Sequence, residues 1–303
     1  MSHSATDGSI KAIFYALGAN SGIALFKFAA AAYTGSGAMM AEAIHSVSDC
    51  ANQGLLLLGI KQAKAPETED HPLGHHRVVY FWSMLVALLL FFMGGVFSLY
   101  EGVTRIMHPE PVKNTLVALG ILAVSMALEG ASLLGALKEI KKISDGKPFF
   151  RWFRETRQSE LLVVTGEEIA ALAGLTAAFI AVALTGLTGN PFYDALGSCA
   201  VGMLLIIVAL LLLRELKGLI VGESASPELR AEITEFIEAQ PEVAHVFRII
   251  TLAQGDKMII AVKAKLVEDA SVKKMVDDIN LVEERIQARF PHARWVFFEP
   301  DVK

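Results

Sequence analysis

Apolar residues gather into six long runs along the first two thirds of the chain. The runs cover 12–33, 38–60, 79–103, 115–137, 161–186 and 193–217. Each approaches or exceeds the roughly 17–25 apolar residues that a helix needs to cross hydrocarbon. Short polar or Gly/Pro-containing breaks separate them: "TGSG" after the first, "HPEPVKN" after the third and "TGLTGNP" after the fifth. From residue 222 the pattern changes. "SPELRAEITEFIEAQ" has a Ser–Pro helix start and apolar residues at helical spacing. "VAHVFRIITLAQG" and "DKMIIAVKAKLV" read as two strands joined at a Gly turn. "SVKKMVDDINLVEERIQARF" is an amphipathic helix and "ARWVFFEPD" a last strand. The order α-β-β-α-β packs most simply with its helices on one face of a small sheet. The expected fold is an α-helical polytopic membrane protein with six transmembrane helices and a C-terminal α+β domain. The expected boundaries are 1–220 and 221–303.

Composition supports this division. Of 303 residues, 53% are hydrophobic and only 19% charged, against about one quarter charged in ordinary soluble domains. The formal net charge of -5, with no basic cluster among aromatics, argues against a nucleic-acid partner. Cys50 and Cys199 both lie in apolar runs and form no metal-ligand spacing. The N-terminal "MSHSATDGSIK" lacks a signal-peptide pattern, so the first run is expected to remain as an anchor. Basic residues gather in two connections: Lys61, Lys64 and Arg77 after the second run, and Lys138, Lys141, Lys142, Lys147, Arg151, Arg154 and Arg157 after the fourth. The opposite breaks hold little beyond Arg105 and Lys113. Lys and Arg concentrate on the cytoplasmic side. Both termini and the tail are therefore expected in the cytoplasm, with the helices in a bacterial inner membrane.

Ionisable residues inside the runs carry the candidate chemistry. A charge at the bilayer centre costs at least about 2.5–3.5 kcal/mol on insertion scales, so it needs a partner or a purpose. His45 and Asp49 are four apart and share a helix face, which Glu42 and Asn52 extend. An imidazole and a carboxylate at that spacing supply one nitrogen and one oxygen to a divalent transition metal. The alternative is a hydrogen-bonded pair that glues two helices. In the fifth run, "VVTGEEIAALAG" offers Glu167 and Glu168, which cannot both point the same way on a helix. The Glu167 face also carries Ala170, Ala171, Gly174 and Ala178, which permit close helix approach and favour Glu167 as the inward residue. Glu129, near the middle of the fourth run, reads as a proton carrier, a helper ligand or an internal hydrogen-bond partner. Asn20 and Lys27 read as packing and interface residues, with Lys27 snorkelling or pairing with a carboxylate. Hydrolases are set aside, because no run shows H-E-x-x-H, G-x-S-x-G or a Ser–His pair.

Several segments together resemble the cation diffusion facilitator family in order and spacing. They are "KFAAAAYTGSGAMMAEAIHSVSDCANQ", "HPLGHHR", "SLYEGVTRIMHPEP" and "NPFYDALGSCAVGMLL". "GEEIAALAG" and "GNPFYDALGS" look like the branch containing zinc transporter nine. The resemblance covers the six runs and, more weakly, the tail. It implies a homodimeric divalent-metal exporter that exchanges metal for protons, with six helices and a ferredoxin-like cytoplasmic domain. It implies no enzyme, no catalytic residue and no cofactor beyond the metal carried as substrate. The family's transport site takes a His/Asp pair from each of spans two and five. His45 and Asp49 match the first pair; by family position Glu168 replaces the second aspartate and Val164 stands where a histidine is expected. That favours Glu168, against the helix-face reading, and both glutamates are kept. One imidazole with two or three carboxylates is a harder site, which leaves Zn2+ first and makes Mn2+, Fe2+ and Co2+ more credible, with Cd2+ also to be tested.

Further positions follow from the same resemblance. His71 and His75, beside Glu69 and Asp70, match loop positions that bind metal in some members; a solvated turn is the alternative. Arg77 matches a basic residue that locks the dimer through a charge pair in some relatives, with Glu223 the nearest acid. His245, Glu299 and Asp301 sit where tail ligands would be, but lysines and apolar residues fill other ligand positions, as in "IIAVKAKL". A weak tail site or none is expected there, with dimerisation as the tail's role. A non-transporting metal sensor or scaffold is the remaining functional alternative.

Overall fold

In hydrocarbon every backbone N–H and C=O has to be satisfied within the segment, and the α-helix does this without neighbours. The computed structural model describes residues 21–143, 146, 148–155, 159–267 and 271–302. The start of the first run with Asn20, and Lys147 and Arg157 of the second basic connection, lie outside the described residues.

The apolar runs are helices. Helix α1 covers 21–34 of the described residues. It is followed by α2 (Gly37–Ala63), α3 (Val78–Leu89), a π-helical stretch (Leu90–Val96), α4 (Phe97–Met107), α5 (Thr115–Ile143), α6 (Phe149–Glu155), α7 (Ser159–Thr188) and α8 (Phe192–Val221). Four stretches among the described residues are long and apolar enough to cross a membrane: Val78–Met107, Thr115–Gly135, Leu161–Thr188 and Phe192–Val221. They match the last four runs. Helix α2 is long enough, but Glu42, His45, Asp49, Asn52, Gln53 and Lys61 make it far less apolar.

The chain divides into two compact units. The first comprises Met1–Gly59, Trp82–Phe149 and Glu160–Glu215; the second comprises Ile60–Phe81, Phe150–Ser159 and Leu216–Lys303. In the first unit, glycines let helices approach closely. A side chain at Gly202 of α8 would meet the Leu99 backbone of α4 at 2.5 Å, and one at Gly166 of α7 would meet Leu212 of α8 at 2.9 Å. Small residues at such crossings are how membrane helices gain van der Waals contact without a hydrophobic driving force.

The start of α2 is fixed by a residue from another helix. Ser36 caps it locally, its Oγ accepting from Met39 N at 3.1 Å. Asp194 of α8 is buried, accepting from Ser36 Oγ at 2.5 Å and from Gly37 N at 2.6 Å. A carboxylate at a helix N-terminus also meets the positive end of the helix dipole. Arg105 of α4 donates to Gly35 O at 2.6 Å and to Glu101 at 2.7 Å.

In the second unit, residues beyond α8 form α9 (Pro227–Glu238), β1 (Val243–Gln254), β2 (Lys257–Leu266), α10 (Val272–Arg289) and β3 (Ala293–Pro300), the order expected from the sequence. Strands β1 and β2 are antiparallel around Gly255, whose positive φ suits the tight turn; β2 and β3 are parallel, giving the order β1-β2-β3. Ser226 and Ser271 cap α9 and α10 by accepting from the third residue beyond. Both helices cover one sheet face. Ile233 and Ile237 of α9 and Val282 and Ile286 of α10 bury against Val246, Ile260 and Val262.

The connection between α2 and α3 also belongs to this unit. His76 pairs with Asp256 at 3.1 Å and meets the Trp295 ring edge-on, with centroids 5.7 Å apart. Tyr80 Oη accepts from Gly255 N at 2.8 Å. Arg77 donates to the carbonyls of Leu219, at 3.3 Å, and Ile220, in the last turn of α8. Partial burial tends to raise the Asp256 pKa, but the hydrogen bond and charge of Lys257, with His76, outweigh it and hold the carboxyl below its ordinary range.

Two outcomes are expected. Asp194→Ala removes charged acceptors from the α2 N-terminus and should lower stability by about 1.5–3 kcal/mol, read as a lower midpoint in thermal unfolding of the solubilised chain. Ile260→Ala opens a cavity under α9 and α10 and should cost about 2–5 kcal/mol, read in the full chain as faster amide exchange in β1 and β2.

Candidate metal centre

The polar face of α2 is built by helical spacing. Glu42, His45, Ser46, Asp49, Asn52 and Gln53 recur every three or four residues, so one stripe of an otherwise apolar rod carries all the donors. His45 is 1% exposed, and its Nδ1 lies 3.6 Å from Asp49 Oδ1. On the π-helical stretch, Gly94 leaves space beside this imidazole: a side chain there would approach His45 Nδ1 at 3.9 Å.

Asp49 borders a cavity of about 40 Å³ whose wall also includes Glu129 of α5 and Glu167 and Glu168 of α7. The adjacent glutamates point in different directions, as helical spacing requires, and the cavity wall nevertheless includes both. Glu167 turns towards α2 and accepts from Asn52 Nδ2, while Glu168 turns towards α5 and accepts from Ser132 Oγ at 2.7 Å. The two side chains diverge by about one helical step of 100°, yet the cavity touches both. Val164, one turn before Glu168, also lines it and contributes no donor. The small face read from the sequence does lie at a close approach, since a side chain at Gly174 would meet Glu42 Oε1 at 2.8 Å.

The unpaired atoms are informative. Both nitrogens of His45, both oxygens of Glu42, Asp49 Oδ1 and Glu168 Oε2 are buried without a hydrogen-bond partner. Buried polar atoms left in that condition are costly, and a native protein keeps them for a reason. Carboxylate oxygens around one small cavity, with the His45 imidazole beside Asp49, suit a borderline or hard divalent cation. Among the described residues, no three His, Cys, Asp or Glu side chains yet converge on a single point. The donors are neighbours rather than a closed coordination shell.

Ser46 and Gln53 line the cavity as well and were missed from the sequence. Gln53 was findable, because it lies one four-residue step beyond Asp49 on the same face. Lys27, read as a packing and interface residue that snorkels or pairs with a carboxylate, is 1% exposed and takes the second course, pairing with Glu42 at 3.5 Å.

The other candidate positions lie in the second unit. The His71 and His75 rings are adjacent, with centroids 4.4 Å apart and planes tilted by 33°, so two imidazoles are within reach of one another. In the tail, Lys263 reaches both Glu299, at 3.4 Å, and Asp301, at 2.5 Å. The Asp301 hydrogen bond and charge, with Glu299, raise the lysine pKa above its ordinary value. His245 lies on β1 opposite Lys265, with its ring edge-on to Phe247 at 5.1 Å. Strand β2 therefore separates it from Glu299 on β3.

Comparison with known proteins gives the chain's relatives. A family model described as the cation efflux transmembrane domain matches residues 13–220. The chain is 38% identical over 238 residues to a mouse (Mus musculus) protein named proton-coupled zinc antiporter SLC30A9, mitochondrial, covering 78% of this chain and 42% of that protein. It is 30% identical to metal tolerance protein C4 of Arabidopsis thaliana, over 76% of this chain and 50% of that one. It is 24% identical to the manganese efflux system protein MneP of Bacillus subtilis, over 84% and 83% respectively. The chain thus spans less than half of the zinc-antiporter relative's length. With the family match running through every helix that contributes to the cavity, the chain belongs to the cation efflux family, the cation diffusion facilitators, which are membrane transporters and not enzymes.

Proposed function

We propose that this chain carries a divalent metal ion across a membrane in exchange for protons. Four carboxyl-bearing residues border one small cavity, with His45 beside it, among long and largely apolar helices. That observation carries the reading. Zn2+ is the first substrate to test, since relatives are named zinc antiporters. Mn2+, Fe2+, Co2+ and Cd2+ follow, since the donor set is rich in oxygen and another relative is named for manganese.

In this mechanism the cavity opens to the cytoplasmic side and a cation sheds water to bind neutral His45 and ionised Asp49, with Glu168 and Glu167 completing the shell. The unpartnered atoms of His45, Asp49 and Glu168 need no existing bond broken, whereas Glu167 is already held by Asn52. Metal and proton compete for the same lone pairs, so binding releases protons. After the helices rock, protons entering from the far side displace the metal. Glu129 is placed to pass protons along the cavity wall.

Two further features belong to the proposal. Helices α1 and α2 complete six spans, with the basic connections and a ferredoxin-like tail in the cytoplasm. A second copy of the chain covers the uncovered face of the tail sheet, where Ile250, Ala261 and Phe297 sit side by side in register and Ile250 and Phe297 are 48% and 55% exposed. The His71 and His75 pair captures metal near the entrance. Because Lys263 already occupies Glu299 and Asp301, the tail dimer in this reading forms without metal.

In proteoliposomes with a pH gradient, His45→Ala and Asp49→Ala should each reduce Zn2+ flux to the level of empty vesicles while the chains stay folded. Glu167→Gln and Glu168→Gln should each lower it at least about tenfold, equivalent to about 1.4 kcal/mol in binding. Unchanged flux in both α2 variants would refute the carrier reading; metal binding without any flux in the unaltered chain would favour a sensor. Phe297→Glu should shift the solubilised chain from dimer towards monomer in light scattering.

A further inference from the structure

We propose that Lys27 is a tethered cation that closes a second metal position at Glu42 and so limits the chamber to one divalent ion at a time. The inference rests on the metal-carrier reading above and adds the stoichiometry of its site.

Glu42 and His45 form a Glu-x-x-His pair, which puts a carboxylate and an imidazole one turn apart on one helix face. Helical bundles that bind two metal ions take this same i, i+3 pair from inward-facing helices. Both side chains are buried, Glu42 at 0% exposure. Neither carboxylate oxygen of Glu42 has a hydrogen-bond partner, and neither does either nitrogen of His45. Gly174 of α7 leaves the space into which Glu42 Oε1 projects. On these grounds Glu42 has the features of a second ligand position next to the first.

The Lys27 ammonium already sits there. It lies 3.5 Å from Glu42 Oε2 and donates to Ser46 Oγ at 2.8 Å. Ser46 in turn lines the cavity beside Asp49. A metal ion in the ammonium's place would inherit two oxygen partners, Glu42 and Ser46, with His45 between them in sequence. A lysine ammonium is a compact point charge on a flexible stem, well suited to stand in for a small cation. Being tethered, it competes at high effective concentration whatever the metal level outside. It also compensates the charge of Glu42, which would otherwise be an unpaired carboxylate in a dry interior. Excluding an alternative occupant by a built-in competitor is a common route to specificity.

The test is Co2+ bound per chain at equilibrium, measured by dialysis and elemental analysis on the full solubilised chain. Lys27→Met and Lys27→Gln should each bind one Co2+ more per chain than the unaltered protein. Two removal variants are used because the amide of Lys27→Gln can still donate to Glu42 if Lys27→Met does not fold. Lys27→Arg keeps the charge and should match the unaltered chain, as should Lys27→Met/Glu42→Gln. Any metal bound at His71 and His75 is common to all variants and cancels in the comparison. A lysine with a merely structural role would lower thermal stability without adding metal. No gain in either folded removal variant, or a gain that persists when Glu42 is also replaced, would overturn the proposal. If the unaltered chain binds neither Co2+ nor Zn2+, the carrier reading itself fails, which is a separate result.

Discussion

A carboxylate held among membrane-spanning helices must find a hydrogen-bond donor, a counter-charge or a cation. Much of the polar contact in the helical unit can be read from that constraint. Glu42 has Lys27, Glu167 has Asn52, Glu168 has Ser132 and Asp194 has Ser36 with the backbone N–H of Gly37. Asp194 is satisfied by two donors and serves as a structural cap. Among the buried atoms without a hydrogen-bond partner, those on His45, Asp49 and Glu168 are the ones assigned to the proposed chemistry. The same penalty that makes these groups costly to bury makes them strong ligands once a cation replaces the missing donors.

Close helix approach turns these side chains into a site. Gly174, Gly166 and Gly202 each sit where a side chain would collide with a neighbouring helix. At Gly174 the contact is between α7 and Glu42 of α2, so a bulkier residue there would push the donors of these two helices apart, while Gly166 and Gly202 seat α8 against α7 and α4. The packing therefore serves the chemistry directly.

Much of this was legible in the sequence, for identifiable physical reasons. The apolar runs stand out because hydrocarbon thickness fixes their length, and His45 with Asp49 stand out because ionisable residues are rare in such runs. The tail's element order followed from its caps, its Gly255 turn and the switch between two hydrophobic periods. Glu167 against Glu168 was not decidable, because a helical wheel assumes one inward direction and this cavity lies where α2, α5 and α7 meet. Pairing with a carboxylate was one of the two readings of Lys27, but the identity of that partner, Glu42, was hidden, because it is on another helix and sequence distance says nothing of that contact. Nor did the runs indicate that Ile60–Phe81 would group with the tail, since that association depends on contacts such as those of His76 with Asp256 and Trp295.

The π-helical stretch between α3 and α4 has a consequence for how the long helix Val78–Met107 meets its neighbours. A turn closed by i→i+5 bonds holds more residues than an α turn, so the faces before and after it are out of phase. Gly94 and Gly95 lie within this wide turn, against His45 and Ile206, while Gly102 beyond it lies against Cys199. The wide turn acts as a phase adjuster: Gly94 and Gly95 within it and Gly102, two turns later, all meet α8, while a side chain at Gly94 would also lie 3.9 Å from His45 of the metal helix. A one-residue deletion within 90–96 would restore ordinary winding and rotate everything beyond it by roughly 100°, turning Gly102 away from Cys199.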